Sequence, residues 1–139
     1  MEWIKRYHED HMSVLTLLAG LEGTLKDLEY GLDRPYMKIE FAEIARVIKE
    51  ILLPHFQSEE KDIYPKVARL DESGKELIDV MLEEHQSLYT AFDSFIKAYE
   101  NDDKKLIIES GKTIVHVLRH HIIKEEKSLP RYFEEELNS

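Results

Sequence analysis

The chain has 139 residues, enough for one domain that buries about two-thirds of its unfolded surface. Its 29 acidic and 19 basic residues give a formal charge of −10, a surface that repels nucleic acid and anionic membrane. No cysteine is present, which excludes disulfides, thiolate zinc sites and iron–sulfur ligation.

Near the start, residues 14–21 form the longest apolar run. It follows His-Glu-Asp-His and is far shorter than the about 20 apolar residues of a membrane span, nor does it suit a signal peptide. A cytoplasmic location is therefore expected. Ile4, Tyr7, His11, Val14, Leu18, Leu21, Leu25 and Leu28 recur at steps of three and four, the stripe of a first amphipathic helix. His11 interrupts that stripe, and His8 lies off it. After Gly31-Leu32-Asp33-Arg34-Pro35, a second helix is predicted on the seam Phe41, Ile44, Ile48, Leu52, His55, Glu59, Ile63. Pro54 removes a backbone donor there and is expected to bend the helix just before His55. Ser73-Gly74-Lys75-Glu76 reads as a capping box opening a third helix. Its seam is Ile78, Met81, His85, Leu88, Phe92, Phe95 or Ile96, and Tyr99. The fourth reads Ile107, Ile114, Val117 or Leu118, His121, Glu125, Leu129, ending near Pro130.

Short polar connections between helices of this length predict an all-α, antiparallel up-down-up-down four-helix bundle. The histidines then fall into place. Asp33 lies midway between His11 and His55, Leu70 midway between His55 and His85, and Asp103 midway between His85 and His121. Each midpoint falls in an expected turn, so at about 1.5 Å of rise per residue all four imidazoles stand at one level. The chain also reads as duplicated. His55-Phe-Gln-Ser-Glu-Glu-Lys-Asp-Ile-Tyr-Pro65 resembles His121-Ile-Ile-Lys-Glu-Glu-Lys-Ser-Leu-Pro130, and each half supplies one lone histidine and one His-x₃-Glu pair.

A His and a Glu four apart share a helix face and can ligate one centre. Four imidazoles and two carboxylates on inner seams would cost several kcal/mol of desolvation unpaired, and no seam Arg or Lys neutralises them. A cationic centre held by His11, His55, Glu59, His85, His121 and Glu125 would. Six nitrogen and oxygen donors without sulfur favour two iron ions sharing an oxo or hydroxo group, with manganese or zinc as substitutes. Glu59 and Glu125, from opposite halves, are placed to bridge them.

At these residues the chain resembles the hemerythrin-like, HHE cation-binding family. The family signature is a first-helix His, a second-helix His-x₃-Glu, a third-helix His and a fourth-helix His-x₃-Glu, met here by His11, His55/Glu59, His85 and His121/Glu125. The resemblance covers nearly the whole chain, read as one domain over residues 1–139. It implies a carboxylate-bridged di-iron centre used for dioxygen binding, sensing, iron handling or nitrosative-stress responses. Oxygen-carrying members have a second third-helix histidine where this chain has Tyr89, and an Asp one position beyond Glu125. Both departures resemble the sensors and iron-handling proteins more than the carriers. Tyr89 is left three roles: iron ligand, hydrogen-bond donor to a bound oxygen ligand, or packing.

The leading expectation is a di-iron protein that binds or senses O₂ or a related small diatomic, as monomer or homodimer. The alternatives are an iron-handling or peroxide- or NO-reactive redox protein, and a metal-free helical interaction module. No substrate pocket with its own specificity groups is visible, so no enzymatic activity is assigned. Glu60 and Glu126 are expected to point toward a rim or solvent, solvating the surface or else bonding behind the ligands; His8, His116 and His120 are expected on the surface, and Trp3, Phe92, Phe95 and Tyr99 in the core.

Overall fold

The computed structural model describes the backbone of residues 2–138 and the side chains of residues 5–132. Ile4 and Trp3, expected in the core, and the side chains of the acidic tail from Phe133 lie outside the described residues. Four helices run α1 (Glu2–Glu29), α2 (residues 35–70), α3 (Glu72–Glu100) and α4 (Lys104–Asn138), with no strand among the described residues. They form the antiparallel four-helix bundle that the spacing predicts.

The turns fall where the histidine midpoints placed them. Gly31 takes φ 86°, a left-handed conformation that closes α1, while the Leu32 N–H reaches the Asp27 carbonyl at 2.9 Å. Pro35 then opens α2 in its first turn, where no amide donor is needed. Only Asp71 separates α2 from α3, and its Oδ1 accepts the Gly74 N–H at 2.6 Å. The capping box predicted at Ser73 is thus displaced: Asp71, in extended backbone, caps the helix, and Ser73 lies inside its first turn. A Cβ on Gly74 would stand 2.4 Å from the Val67 carbonyl oxygen, so glycine is what lets these two helix ends touch. At the third turn Asp103 Oδ1 accepts the Leu106 N–H at 3.2 Å.

Two regions depart from the predicted pattern. In α2, residues Ile48–Leu52 and Glu59–Ile63 are π-helical, with the Leu53 N–H bonded to Ile48 O and the Tyr64 N–H to Glu59 O. Each wide turn comes just before a proline, Pro54 and Pro65, which cannot donate to the ladder. The extra residue in the second wide turn shifts the inner position from Ile63, which is only half-buried, to Tyr64, which is 1% exposed. In α4 the helix does not end at Pro130 but continues to Asn138. Leu129 and Tyr132, buried on either side of that proline, anchor the chain past it.

The core divides in two. A large cluster spans Val14 to Leu28, Met37 to Phe56, Leu88 to Ala98 and Ile107 to Ile122. A smaller one joins Tyr7, Tyr64, Val67, Ile78, Met81, Leu129 and Tyr132. Phe92 and Phe95 are buried as expected and Tyr99 partly so. Between the two apolar clusters lies a polar layer, and every helix contributes to it.

Candidate metal centre

That layer contains all six residues proposed from the sequence. His11, Glu59, His85, His121 and Glu125 are at most 3% exposed, and His55 is half-buried. One donor atom from each of His11, His55, Glu59 and Glu125 lies within 4.8 Å of the others, and Glu59, His85 and His121 form a second such group. The two groups share Glu59, and Glu125 also reaches both sides. Its Oε1 is 3.4 Å from His11 Nε2 and 3.3 Å from His121 Nε2. Glu59 Oε1 is likewise 3.6 Å from His55 Nε2 and 3.4 Å from His85 Nε2.

Four buried side-chain atoms among the described residues have no hydrogen-bond partner: His11 Nε2, His55 Nε2, Glu59 Oε1 and Glu125 Oε1. All belong to this set and all face the same interior. A buried polar atom left unpaired costs about 1–3 kcal/mol, more when charged. A cation between these atoms would remove that cost, and neutral imidazole nitrogens with carboxylate oxygens are the donors that zinc, manganese and iron accept. The residues therefore fit a metal.

The outer ring nitrogens carry the complementary sign. His11 Nδ1 is 2.7 Å from Glu126, His85 Nδ1 is 2.7 Å from Glu60, and His121 Nδ1 is 2.9 Å from Glu84. A carboxylate on Nδ1 fixes the tautomer with its proton outside and leaves Nε2 free to ligate. Glu60 and Glu126 lie at the rim, each partly exposed, and take the lesser of their two expected roles, bonding behind the ligands. The roughly 100° step from Glu59 and Glu125 lays each over a neighbouring helix, against an imidazole. Glu126 also accepts from exposed His8 at 3.0 Å, and Lys124 holds Glu84 at 2.9 Å. His116 and His120 are exposed, as expected.

Electrostatics follows from this geometry. Burial pulls His121 down, but the Glu125 and Glu84 carboxylates outweigh it and push the imidazole up to about 10. Burial also opposes ionisation of His11, whose ring Glu125 and Glu126 nevertheless hold above its ordinary value. Glu125 sits well below the usual carboxylate range despite burial, through its contacts with Glu59, His11 and His121. Without a metal, protons on imidazole supply the positive charge that these carboxylates demand.

Two buried tyrosines complete the layer, and sequence reasoning assigned neither to the site. Tyr7 donates to Oε2 of Glu59 and, at 2.8 Å, to Oε2 of Glu125. Tyr64 donates to the same Glu125 oxygen at 2.8 Å. Burial, then Glu125 and Glu59, push both phenols well above their ordinary value. Tyr7 occupies the apolar stripe of α1, one turn before His11. Tyr89, given three roles above, is half-buried beside Phe56 and His85, and its hydroxyl donates to Glu60. No curated protein and no solved structure matches the chain. A family model, the hemerythrin HHE cation binding domain, matches residues 1–132, and the chain belongs to that family of cation-binding four-helix bundles.

Proposed function

We propose that residues 1–139 act as one hemerythrin-like unit that holds two iron ions and binds or senses O₂ or a related small diatomic. The carrying observation is the set of four orphaned, inward-facing donors. One position would take His11, His55, Glu59 and Glu125, the other His85, His121 and shared Glu59. Bound there, iron would supply reversible ligand binding or one-electron chemistry with O₂, peroxide or NO.

The chain's own residues set what can arrive. A pocket with room for little more than one water-sized molecule adjoins His11 and His55, walled by Val14, Leu52, Leu118 and Ile122. Apolar walls of that size suit a diatomic and exclude an organic substrate. His55 borders it with its side chain 17% exposed, whereas His85 and His121 are sealed. Entry is therefore from the α1–α2 side. Glu126, Glu60 and Glu84 hold the imidazoles in register, and the two apolar clusters keep bulk water out.

Anaerobic purification with iron reconstitution tests this directly. Two irons per chain are expected, with a visible band that forms on mixing the reduced protein with O₂ and bleaches under vacuum. A band that never reverses favours the iron-handling or redox alternative, which the departure at Tyr89 already suggests. Less than a few tenths of an iron per chain, with stability unchanged on reconstitution, overturns the proposal in favour of a metal-free module.

A further inference from the structure

The compact group at His85 and His121 holds one donor fewer than its neighbour, with Glu59 beside the two imidazoles and Glu125 Oε1 near His121 alone of that pair. The Tyr64 hydroxyl is a further oxygen beside both nitrogens, 3.2 Å from His85 Nε2 and 3.4 Å from His121 Nε2. Those two nitrogens are 3.1 Å apart. Donors bound to one cation at about 2.1 Å, at angles between octahedral and tetrahedral, stand roughly 3.0–3.4 Å from each other. The three atoms thus form one face of a coordination polyhedron, and Glu59 Oε1, 3.4 Å from His85 Nε2, extends it.

We propose that Tyr64 is itself a metal ligand, its phenolate oxygen completing the position formed by His85, His121 and Glu59. The assignment rests on the di-iron reading above. With Tyr64 added, each compact group has four protein donors, and Glu125 Oε1 also lies beside His121. The proposed ligand is a tyrosine that is 1% exposed, with its hydroxyl within 3.4 Å of both imidazole nitrogens. Binding is an exchange: the Tyr64 O–H bond breaks, the oxygen bonds the cation, and the proton passes to solvent. Glu125 Oε2 loses one donor in that exchange but keeps Tyr7 at 2.8 Å. Tyr89 is the competing phenol, and its hydroxyl is directed to Glu60 instead. An anionic oxygen on this iron favours its ferric state, which suits oxidation or sensing over oxygen carriage.

The test is resonance Raman spectroscopy of the full chain loaded with ferric iron, with and without ring-deuterated tyrosine. Phenolate modes that shift on deuteration are expected, together with a visible charge-transfer band. Both disappear in Tyr64→Phe and persist in Tyr89→Phe and Tyr7→Phe. An iron-loaded chain without phenolate modes, or modes that survive Tyr64→Phe, overturns the assignment and leaves the di-iron reading standing. If Tyr64→Phe fails to fold or hold iron, the isotope shift in the unaltered chain and its persistence in the other two variants decide the matter. A chain that takes up no cation fails both readings, and iron content alone distinguishes that result.

Discussion

The two hairpins, α1–α2 and α3–α4, follow one plan and differ in the hydroxyls they turn toward the centre. Each brings a lone histidine and a His-x₃-Glu pair, and each braces the other. Glu126 of the second hairpin holds His11 of the first, and Glu60 of the first holds His85 of the second. Six positions separate Glu59 from Pro65, however, and five separate Glu125 from Pro130. The additional residue is housed in the π turn Glu59–Ile63. It sets Tyr64 where the other hairpin has Leu129, each buried and just ahead of its proline. One turn before the lone histidines the contrast repeats, with Tyr7 matched by Met81. Shared ligands came from a common pattern, whereas the hydroxyls that face the centre belong to the first hairpin alone.

The largest effect tests how far the hairpins share their cations. Glu59 stands between His55 and His85, so Glu59→Ala is expected to drop cation content below one per chain. His11→Ala removes a donor from one position only and should leave about one cation on His85 and His121. Metal analysis after anaerobic reconstitution reads both. Equal losses in the two variants would mean that the positions fill only together.

Next come the carboxylates behind the imidazoles. Glu126→Gln, Glu60→Gln and Glu84→Gln each remove the charge that orients an Nδ1–H, and such changes cost about 10–100-fold in metal affinity. Glu84→Gln should be the mildest within that range, because Lys124 already offsets part of its charge. Competition with a chromophoric chelator measures the order, and affinities within twofold of the unaltered chain would reduce these contacts to surface pairs.

How much of this was legible follows from period and spacing. The stripes at steps of three and four, with turns at the histidine midpoints, were enough for four helices and for the level at which His11, His55, His85 and His121 meet. What spacing could not carry was a change of period inside a helix. The seam drawn through Ile63 assumed 3.6 residues per turn, and the wide turn moved the inner face to Tyr64. The signal existed, since the duplicated motifs differ in length by one residue before their prolines. Glu84 was invisible for another reason: it precedes its own helix's His85 yet serves His121 across the interface. Only packing makes that pair.

The prolines give a smaller contrast. Pro65 follows a wide turn in which the Tyr64 N–H still bonds a carbonyl, whereas Pro130 sits inside regular α-helix. A proline in a helix interior costs about 3 kcal/mol against alanine, through the lost donor and the clash with the carbonyl four residues back. Pro130→Ala is expected to recover about 1–3 kcal/mol in chemical denaturation. Pro65→Ala should recover little. A gain at Pro65 equal to that at Pro130 would show that the wide turn does not accommodate its proline.

The smallest effect concerns protons standing in for cations. In the metal-free chain His121 is pushed up to about 10 by Glu125 and Glu84, with burial opposing them. A raised imidazole stabilises fully below its unfolded value of about 6.5, and that contribution fades as pH climbs toward the folded value. The metal-free melting temperature should therefore decline between neutral pH and about 10, where His121 loses its proton. Occupied protein should escape this decline, because the cation then supplies the charge. Since the cation must displace that proton, uptake at neutral pH should release protons and tighten as pH rises. Calorimetry in two buffers of different ionisation enthalpy counts those protons. Cation binding without proton release at neutral pH would mean that Tyr64 keeps its proton, that the inner nitrogens of His11 and His121 are already bare, and that the carboxylates around them are balanced by something other than imidazolium.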